Sequence, residues 1–369
     1  MNISLFVTIL LSCVAFTKSE QTIPADSPYV QWMGRIRKPG DGSVHFDWLG
    51  VGARIFYSGK YLIANYAAAP AIRSPYKVAT WEYSQNYYIP TSINWVSPAY
   101  LNGNNTTSVL VSVDGLESLI TLNSPPQYFD SPASPGNDVS IVSFTTDGTF
   151  TLPSAPFTRR MEFIGDSITA ATNIHSHPPC ADGGLQCDYS VSWAGLLCAN
   201  FSANCSTIAV GGHGLIRNCC NDNGPKMPDY FRQVEYSSAG PDYTFAATGF
   251  VPDAVIIALG TNDYSGSVPP GFDANFTQGY IDFIQNITTW YGGSINSNIT
   301  FFCAVGPMTD AYLNATIAAI NQVNAMGYRA YLLNVMGASC GGCAGHPGVE
   351  GHQQMAAIAQ PIIANIMGW

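Results

Sequence analysis

Arg160-Met161-Glu162-Phe163-Ile164-Gly165-Asp166-Ser167-Ile168-Thr169 is the stretch on which the reading of this chain turns. Arg160 to Ile164 is a short apolar run suited to a buried parallel strand, Gly165 ends it, and Ser167 follows directly. A serine on a strand-to-helix turn projects its hydroxyl at the sheet edge while its own N–H faces the same point. One residue can then attack an acyl carbon and help bind the resulting oxyanion. Taken in isolation, the same serine reads better as a helix N-cap, so the rest of the chain must decide.

Outward from this stretch the pattern is strand, helix, strand. Thr207–Val210, Ala254–Leu259, Ile299–Cys303 and Ala330–Val335 are further short apolar runs, and 191–200, 273–291, 312–326 and 349–366 can be written as helices between them. This predicts an α/β three-layer arrangement from about residue 157 to 369. Before Pro156 the periodicity differs. His45–Trp48, Ala53–Tyr57, Tyr61–Ala64, Ile93–Val96, Ser108–Val113 and Val139–Phe144 are β-branched and aromatic, punctuated by Gly, Asn, Pro and Ser. Residues 20–156 therefore read as an all-β sandwich or jelly roll, joined to the second half through Pro153 to Arg159.

Three more segments fall where α/β folds place ligands, at the carboxyl ends of strands. Gly211-Gly212-His213-Gly214 follows the second strand; its glycines let backbone approach a ligand, and the Gly212 N–H is a candidate oxyanion donor. Gly260-Thr261-Asn262-Asp263 follows the third, and the Asn262 amide is a neutral donor suited to an anion that develops in the transition state. Asp263 reads as structural, bonding local backbone. His346-Pro347 lies near the end, and an unperturbed imidazole pKa of about 6.5 suits His346 to take the serine proton. Nucleophile, backbone donor, side-chain donor and base together are the parts for acyl transfer. His45, His175, His177 and His213 compete for the base role, and His352 reads as a packed or solvated helix residue. His175-x-His177 and Cys340-x-x-Cys343 invite a zinc site, but no acidic ligand set accompanies the histidines. No metal centre is expected.

Hydrophobic residues make up 47% of the chain and charged ones 10%, with a net charge of -10 and only 14 Lys plus Arg. No basic stripe exists to neutralise phosphates, so nucleic acid and anionic membranes are poor partners. The apolar run Leu5–Phe16 is shorter than the roughly 20 residues that span a bilayer, and residues 1–19 read as a cleaved secretory signal. Asn104, Asn105, Asn200, Asn204, Asn275, Asn286, Asn298 and Asn314 sit in glycosylation sequons. Past the signal, nine cysteines remain, all in the second half. Cys303, inside an apolar run, is the expected free thiol. The other eight could make four disulfides, Cys198 with Cys205 and Cys340 with Cys343 being the closest in sequence.

The four segments in this order resemble the SGNH (GDSL-type) hydrolase superfamily. Gly212-x-Gly214-Leu215-x-Arg217-Asn218, Gly260-Thr261-Asn262-Asp263-Tyr264-Ser265 and His346-Pro347 with His352, behind a β-rich half containing Phe46-Asp47-Trp48-x-Gly50, are similar to carbohydrate esterase family 2. The resemblance implies a flavodoxin-like hydrolase domain behind a jelly roll, and a secreted esterase that removes acetyl groups from polysaccharide hydroxyls through an acetyl-serine, without metal or cofactor. It assigns Ser167 as nucleophile, His346 as base, and Ser167 N–H, Gly212 N–H and the Asn262 amide as oxyanion hole. Tyr264, His213 and Arg217 are candidate substrate contacts. Other classes compete: a non-catalytic carbohydrate-binding or wall protein on a relict scaffold, and a lipase or thioesterase. One departure stands out. The superfamily commonly places an Asp three residues before the histidine, and here that residue is Cys343, which cannot stabilise an imidazolium as a carboxylate does. The resemblance implies a Ser-His dyad instead, with a backbone carbonyl orienting the ring and the Cys340–Cys343 loop, with or without a bridge of its own, fixing His346.

Overall fold

The computed structural model describes residues 20–46, 48–58, 61–67, 80–85, 106–112, 117–123, 139–153, 157–176, 178–180, 189, 191–236, 249–294 and 298–369. Residues 1–19, the Ile93–Val96 segment, Asn104, Asn105, Asp47, His177 and Cys187 lie outside them.

The first half forms two antiparallel sheets. One holds β1 (Gln21–Pro24), β9 (Val139–Thr146), β5 (Tyr61–Ala67) and β7 (Thr106–Ser112), with β3 (Val44–Phe46) also paired to β9. The other holds β10 (Thr149–Thr151), β4 (Val51–Ser58), β8 (Glu117–Asn123) and β6 (Thr80–Gln85), with β2 (Val30–Met33) also on β4. Alternation along β4 shows why the sheets face each other: Val51, Ala53, Ile55 and Tyr57 are buried and join one apolar cluster with Leu62, Ala64, Ile141 and Phe144 of the other sheet. Sequence reading missed β1, β2, β6, β8 and β10. Most are short or carry polar residues such as Glu82, Gln85 and Thr121, and cross-strand pairing rather than composition makes them strands.

The second half is a five-stranded sheet in the order β12 (Asn204–Ala209), β11 (Arg160–Gly165), β13 (Ala254–Ala258), β14 (Thr300–Val305), β15 (Arg329–Asn334), every pair parallel. It is the flavodoxin-like SGNH arrangement that the motifs implied. The helices are α1 (Trp193–Phe201), the single turn α2 (Met227–Tyr230), α3 (Phe272–Trp290), α4 (Leu313–Ala325) and α5 (Val349–Met367). Phe276, Tyr280 and Ile284 of α3 with Ala319 and Val323 of α4 cover one face of the sheet, against Ile257 and Phe301. Trp193 and Leu197 of α1 with Met355 and Ala359 of α5 cover the other, against Phe163 and Phe302.

The α3 side of this core is continuous with the sandwich core, and a buried ion pair crosses the junction. Arg35, between β2 and β3, reaches Glu162 of β11 with Nη2 to Oε1 at 3.0 Å, both side chains being 0% exposed. Ser206 Oγ (3.1 Å) and Tyr291 Oη (2.8 Å) also donate to Glu162, while Arg35 Nη1 donates to the carbonyls of Phe231 and Gln233. Arg37 pairs with Glu235 at 2.8 Å, and Trp48 Nε1 donates to the Gln233 carbonyl. At Gly50 the approach is closer still: a Cβ there would lie 2.3 Å from the Tyr189 ring. Among the described residues no helix is long and apolar enough to cross a membrane.

Candidate active site

The carboxyl ends of β12, β11 and β13 lie side by side, because Gly165 of β11 registers with both Ala209 and Ala258. The three loops leaving them therefore converge. Ser167 stands two residues beyond Gly165, buried except for 7% of its surface. The residues after it form successive turns rather than a regular α-helix. The capping role falls to Asp166, whose Oδ1 accepts the Ile168 N–H at 2.9 Å. That leaves the Ser167 hydroxyl for other work.

That hydroxyl meets His346 Nε2 at 2.8 Å. His346 Nδ1 faces the Cys343 carbonyl at 3.3 Å, and Asn173 Nδ2 reaches the same oxygen at 3.4 Å. The ring is thus held by a backbone acceptor where the superfamily's carboxylate is missing, with Nδ1–H donating and Nε2 free to accept from serine. Burial lowers the His346 pKa below its usual 6.5, and the Cys343 and Ala344 backbone bonds offset part of this. Among the described residues no carboxylate bonds the ring to favour the imidazolium, and the neutral base persists into mildly acid solution. A kcat/KM profile for ester hydrolysis should accordingly lose activity with a midpoint below pH 6.5; a midpoint above 6.5 would show a charge partner for His346 that the geometry lacks.

The loop that carries His346 is bridged, but not on itself. Cys343 pairs with Cys180, 163 residues away, rather than with Cys340. Of the two pairings that lie close in sequence, Cys340–Cys343 does not form: Cys343 is buried and turned toward the segment that follows Ser167, whereas Cys340 remains a half-buried thiol. The bridge ties the histidine loop covalently to the serine side of the site, closing a chain loop worth roughly 5 kcal/mol in the entropy model. Cys198 does pair with Cys205, and Cys303 is buried and unpaired as expected. Cys219 and Cys220 form neither of these bridges.

Gly212 has a φ of +78°, a backbone conformation that favours glycine. Among the described residues, neither the Gly212 N–H nor the Ser167 N–H donates to a protein acceptor. Asn262 Nδ2 donates to Asp166 Oδ2 at 3.1 Å and to the His213 carbonyl at 2.9 Å. Asp166, 1% exposed, is pushed up to about 7 by burial. Asp263 is structural, though its partners are distant in sequence. It accepts the N–H groups of Leu215, Ile216 and Arg217 at 2.8, 2.7 and 2.9 Å, which ties the second loop to the third. Burial raises its pKa against those three bonds. A Cβ on Gly214 would sit 2.5 Å from Asp263 Oδ2, so only glycine lets the loops touch.

The remaining candidates separate. Arg217 donates to the Ser267 and Ser265 carbonyls and lies over Phe272, and the Tyr264 hydroxyl donates to Asp273 while its ring packs on Phe272, Phe276 and Tyr312. Both brace the third loop. His213 stands at the site, with Nδ1 on the Gly211 carbonyl and its ring edge-on to Tyr230. His352 is fully buried and accepts the Trp193 N–H on Nδ1 at 3.2 Å. Asp166, Asn173 and Cys180 were not legible as site residues, since their roles depend on loops that meet only in the folded chain. Among the described residues no group of three His, Cys, Asp or Glu could hold a metal ion.

His352 makes a prediction for stability. Burial first, and then the His346 ring, depress its pKa from 6.5 to about 3. The unfolded state therefore binds the extra proton between pH 6.5 and 3, and stability falls as pH drops through that window, by on the order of 4 kcal/mol at its lower end. Urea midpoints at pH 7 and 4 should differ less in His352→Asn, whose amide does not titrate, than in the wild type. An equal difference in both proteins would remove His352 from the acid response.

The GDSL-like Lipase/Acylhydrolase family model matches residues 161–359. The cellulase/esterase CelE of Acetivibrio thermocellus is 30% identical over 230 residues, which is 58% of this chain but only 26% of that protein. An acetylxylan esterase/glucomannan deacetylase of Cellvibrio japonicus is 22% identical over 294 residues, covering 77% of this chain and 74% of that one. A family two carbohydrate esterase structure from Cellvibrio japonicus superposes with a TM-score of 0.75 at 21% identity, over 95% of this chain and 99% of that one. With the family model spanning more than half of its residues, from the strand before Ser167 to the helix after His346, the chain belongs to the GDSL-like lipase/acylhydrolase family.

Proposed function

We propose that the chain is a secreted carbohydrate O-acetylesterase that works through a Ser167–His346 dyad. The observation that carries this reading is the 2.8 Å contact between Ser167 Oγ and a His346 ring whose far nitrogen is held by the Cys343 carbonyl. His346 Nε2 takes the hydroxyl proton as Ser167 attacks the acetyl carbon. The oxyanion is met by the N–H groups of Ser167 and Gly212 and by the Asn262 amide, which turns one hydrogen away from the His213 carbonyl to reach it. His346 then passes its proton to the departing sugar hydroxyl. Water, activated by the same nitrogen, releases acetate and restores the serine.

The relatives named for acetylxylan and glucomannan support a polysaccharide substrate. The disulfides Cys180–Cys343 and Cys198–Cys205 support an oxidising compartment, and therefore export with residues 1–19 as the signal. Asn200, Asn275, Asn286, Asn298 and Asn314 are exposed, as glycan acceptors would be. Asn204 stands apart, in β12 with its Oδ1 buried. The test is acetate release from acetylated xylan and glucomannan beside 4-nitrophenyl acetate and a long-chain 4-nitrophenyl ester. Release that favours the acetylated polysaccharides is expected. Preference for the long chain would make the protein a lipase, and no release from any ester would make it a binding protein on the same scaffold.

A further inference from the structure

We propose that Cys219 and Cys220 close a vicinal disulfide, and that the resulting ring braces the loop carrying Gly212. The two Sγ atoms lie 2.7 Å apart, nearer than unbonded sulfurs rest. Cys220 and the following Asn221 both hold a φ of +61°, a left-handed conformation that Asn adopts readily but cysteine rarely does. A cysteine there persists where the surrounding structure over-determines it, and a closed Cys219–Cys220 ring does so for Cys220. The chain already carries two bridges, so its cysteines are read in an oxidising setting. Closing the ring removes one hydrogen from each thiol and forms one Sγ–Sγ bond. Two electrons and two protons pass to a disulfide of the small-molecule or oxidoreductase class, which leaves as two thiols. Cys220 is the exposed sulfur at which exchange starts, and Cys219 is the buried one that completes it.

The position gives the ring its consequence. The Cys219 N–H donates to the Gly212 carbonyl at 2.9 Å, and Asn218, the residue before it, accepts the Gly214 N–H at 3.1 Å. Asn218 is held in turn by Asp222 and the Pro225 carbonyl. Residues 218–220 are therefore the floor under Gly212, and a ring there limits how far the Gly212 N–H can drift. The effect on catalysis rests on the esterase reading; the bond and the bracing do not.

Two measurements on the full chain test this. The secreted protein is alkylated with iodoacetamide in denaturant without reductant and digested with trypsin, which frees Asn218–Lys226. The expected peptide is unalkylated and two hydrogens lighter than its dithiol, and it takes up two carbamidomethyl groups after reduction. Two carbamidomethyl groups before reduction, or a link from this peptide to another cysteine peptide, overturns the bond. Bracing is read by hydrogen exchange in Cys219→Ser/Cys220→Ser, where amides of residues 211–219 should exchange about tenfold faster; unchanged exchange overturns the brace. For acetyl release, kcat in that variant should fall about tenfold with KM within about twofold, because only the oxyanion donor has loosened.

Discussion

Ser167→Ala should lower kcat for acetyl release by about 10⁴-fold or more while leaving the protein folded. The argument is geometric. Ser167 Oγ is the hydroxyl His346 Nε2 contacts, at 2.8 Å, so alanine removes both the attacking atom and the proton that the base accepts. Alanine keeps the backbone N–H, so the oxyanion donors remain, and residual activity reports what they achieve with water alone. His346→Ala should cost about as much, and the double variant little more than either, because the two residues act as one unit. The lost Ser167–His346 contact is worth roughly 1 kcal/mol of stability, so thermal unfolding should move little. Activity within tenfold of wild type would mean that another group attacks the ester, and the site would have to be sought elsewhere.

Arg35→Ala carries the largest expected effect on stability, a loss of about 3–5 kcal/mol in urea unfolding. Removing the guanidinium leaves Glu162 ionised with no solvent contact, held by Ser206 and Tyr291 but without a counter-charge. The cost is that of an uncompensated buried charge rather than the value of the pair. Glu162→Gln placed on top of Arg35→Met should therefore recover much of the loss, since it removes both charges and keeps comparable volume. A loss below about 1 kcal/mol for Arg35→Ala would show that water reaches Glu162. The same pair explains why a chain shortened to begin near Arg159 should not yield an intact hydrolase half. It would lose Arg35 from Glu162, Arg37 from Glu235 and the indole of Trp48 from the Gln233 carbonyl. The β half is therefore structurally committed to the hydrolase half, whether or not it also touches a glycan.

Local chemistry in the sequence was enough for several conclusions. The apolar strands and amphipathic helices of the second half appear within a few residues of where periodicity places them, because their burial pattern is written in the residues themselves. That the segments carrying Ser167, Gly212 and Asn262 would meet was legible because each follows a strand in an ordered series, and a parallel sheet brings such strand ends to one edge. Closeness in sequence did not decide the disulfides: Cys198–Cys205 forms, while Cys343, equally near Cys340, pairs with Cys180.

What holds the histidine was legible only in kind: the resemblance implied a backbone carbonyl on the ring, but not which residue supplies it. Cys343 reads as an absent carboxylate, and only the fold shows its carbonyl on the ring and its sulfur on Cys180. Asp263 reads as a turn residue, and only the fold shows it gathering three amides from the second loop. Glu162 reads as a polar interruption of a strand, and only the fold places Arg35 beside it. These roles share one physical reason. A backbone carbonyl or amide is present at every residue and carries no sequence signal, and a buried charge shows its partner only when two distant segments are packed together. Residue type and order point to the chemistry proposed for this chain; tertiary packing alone decided what orients the residues that would carry it.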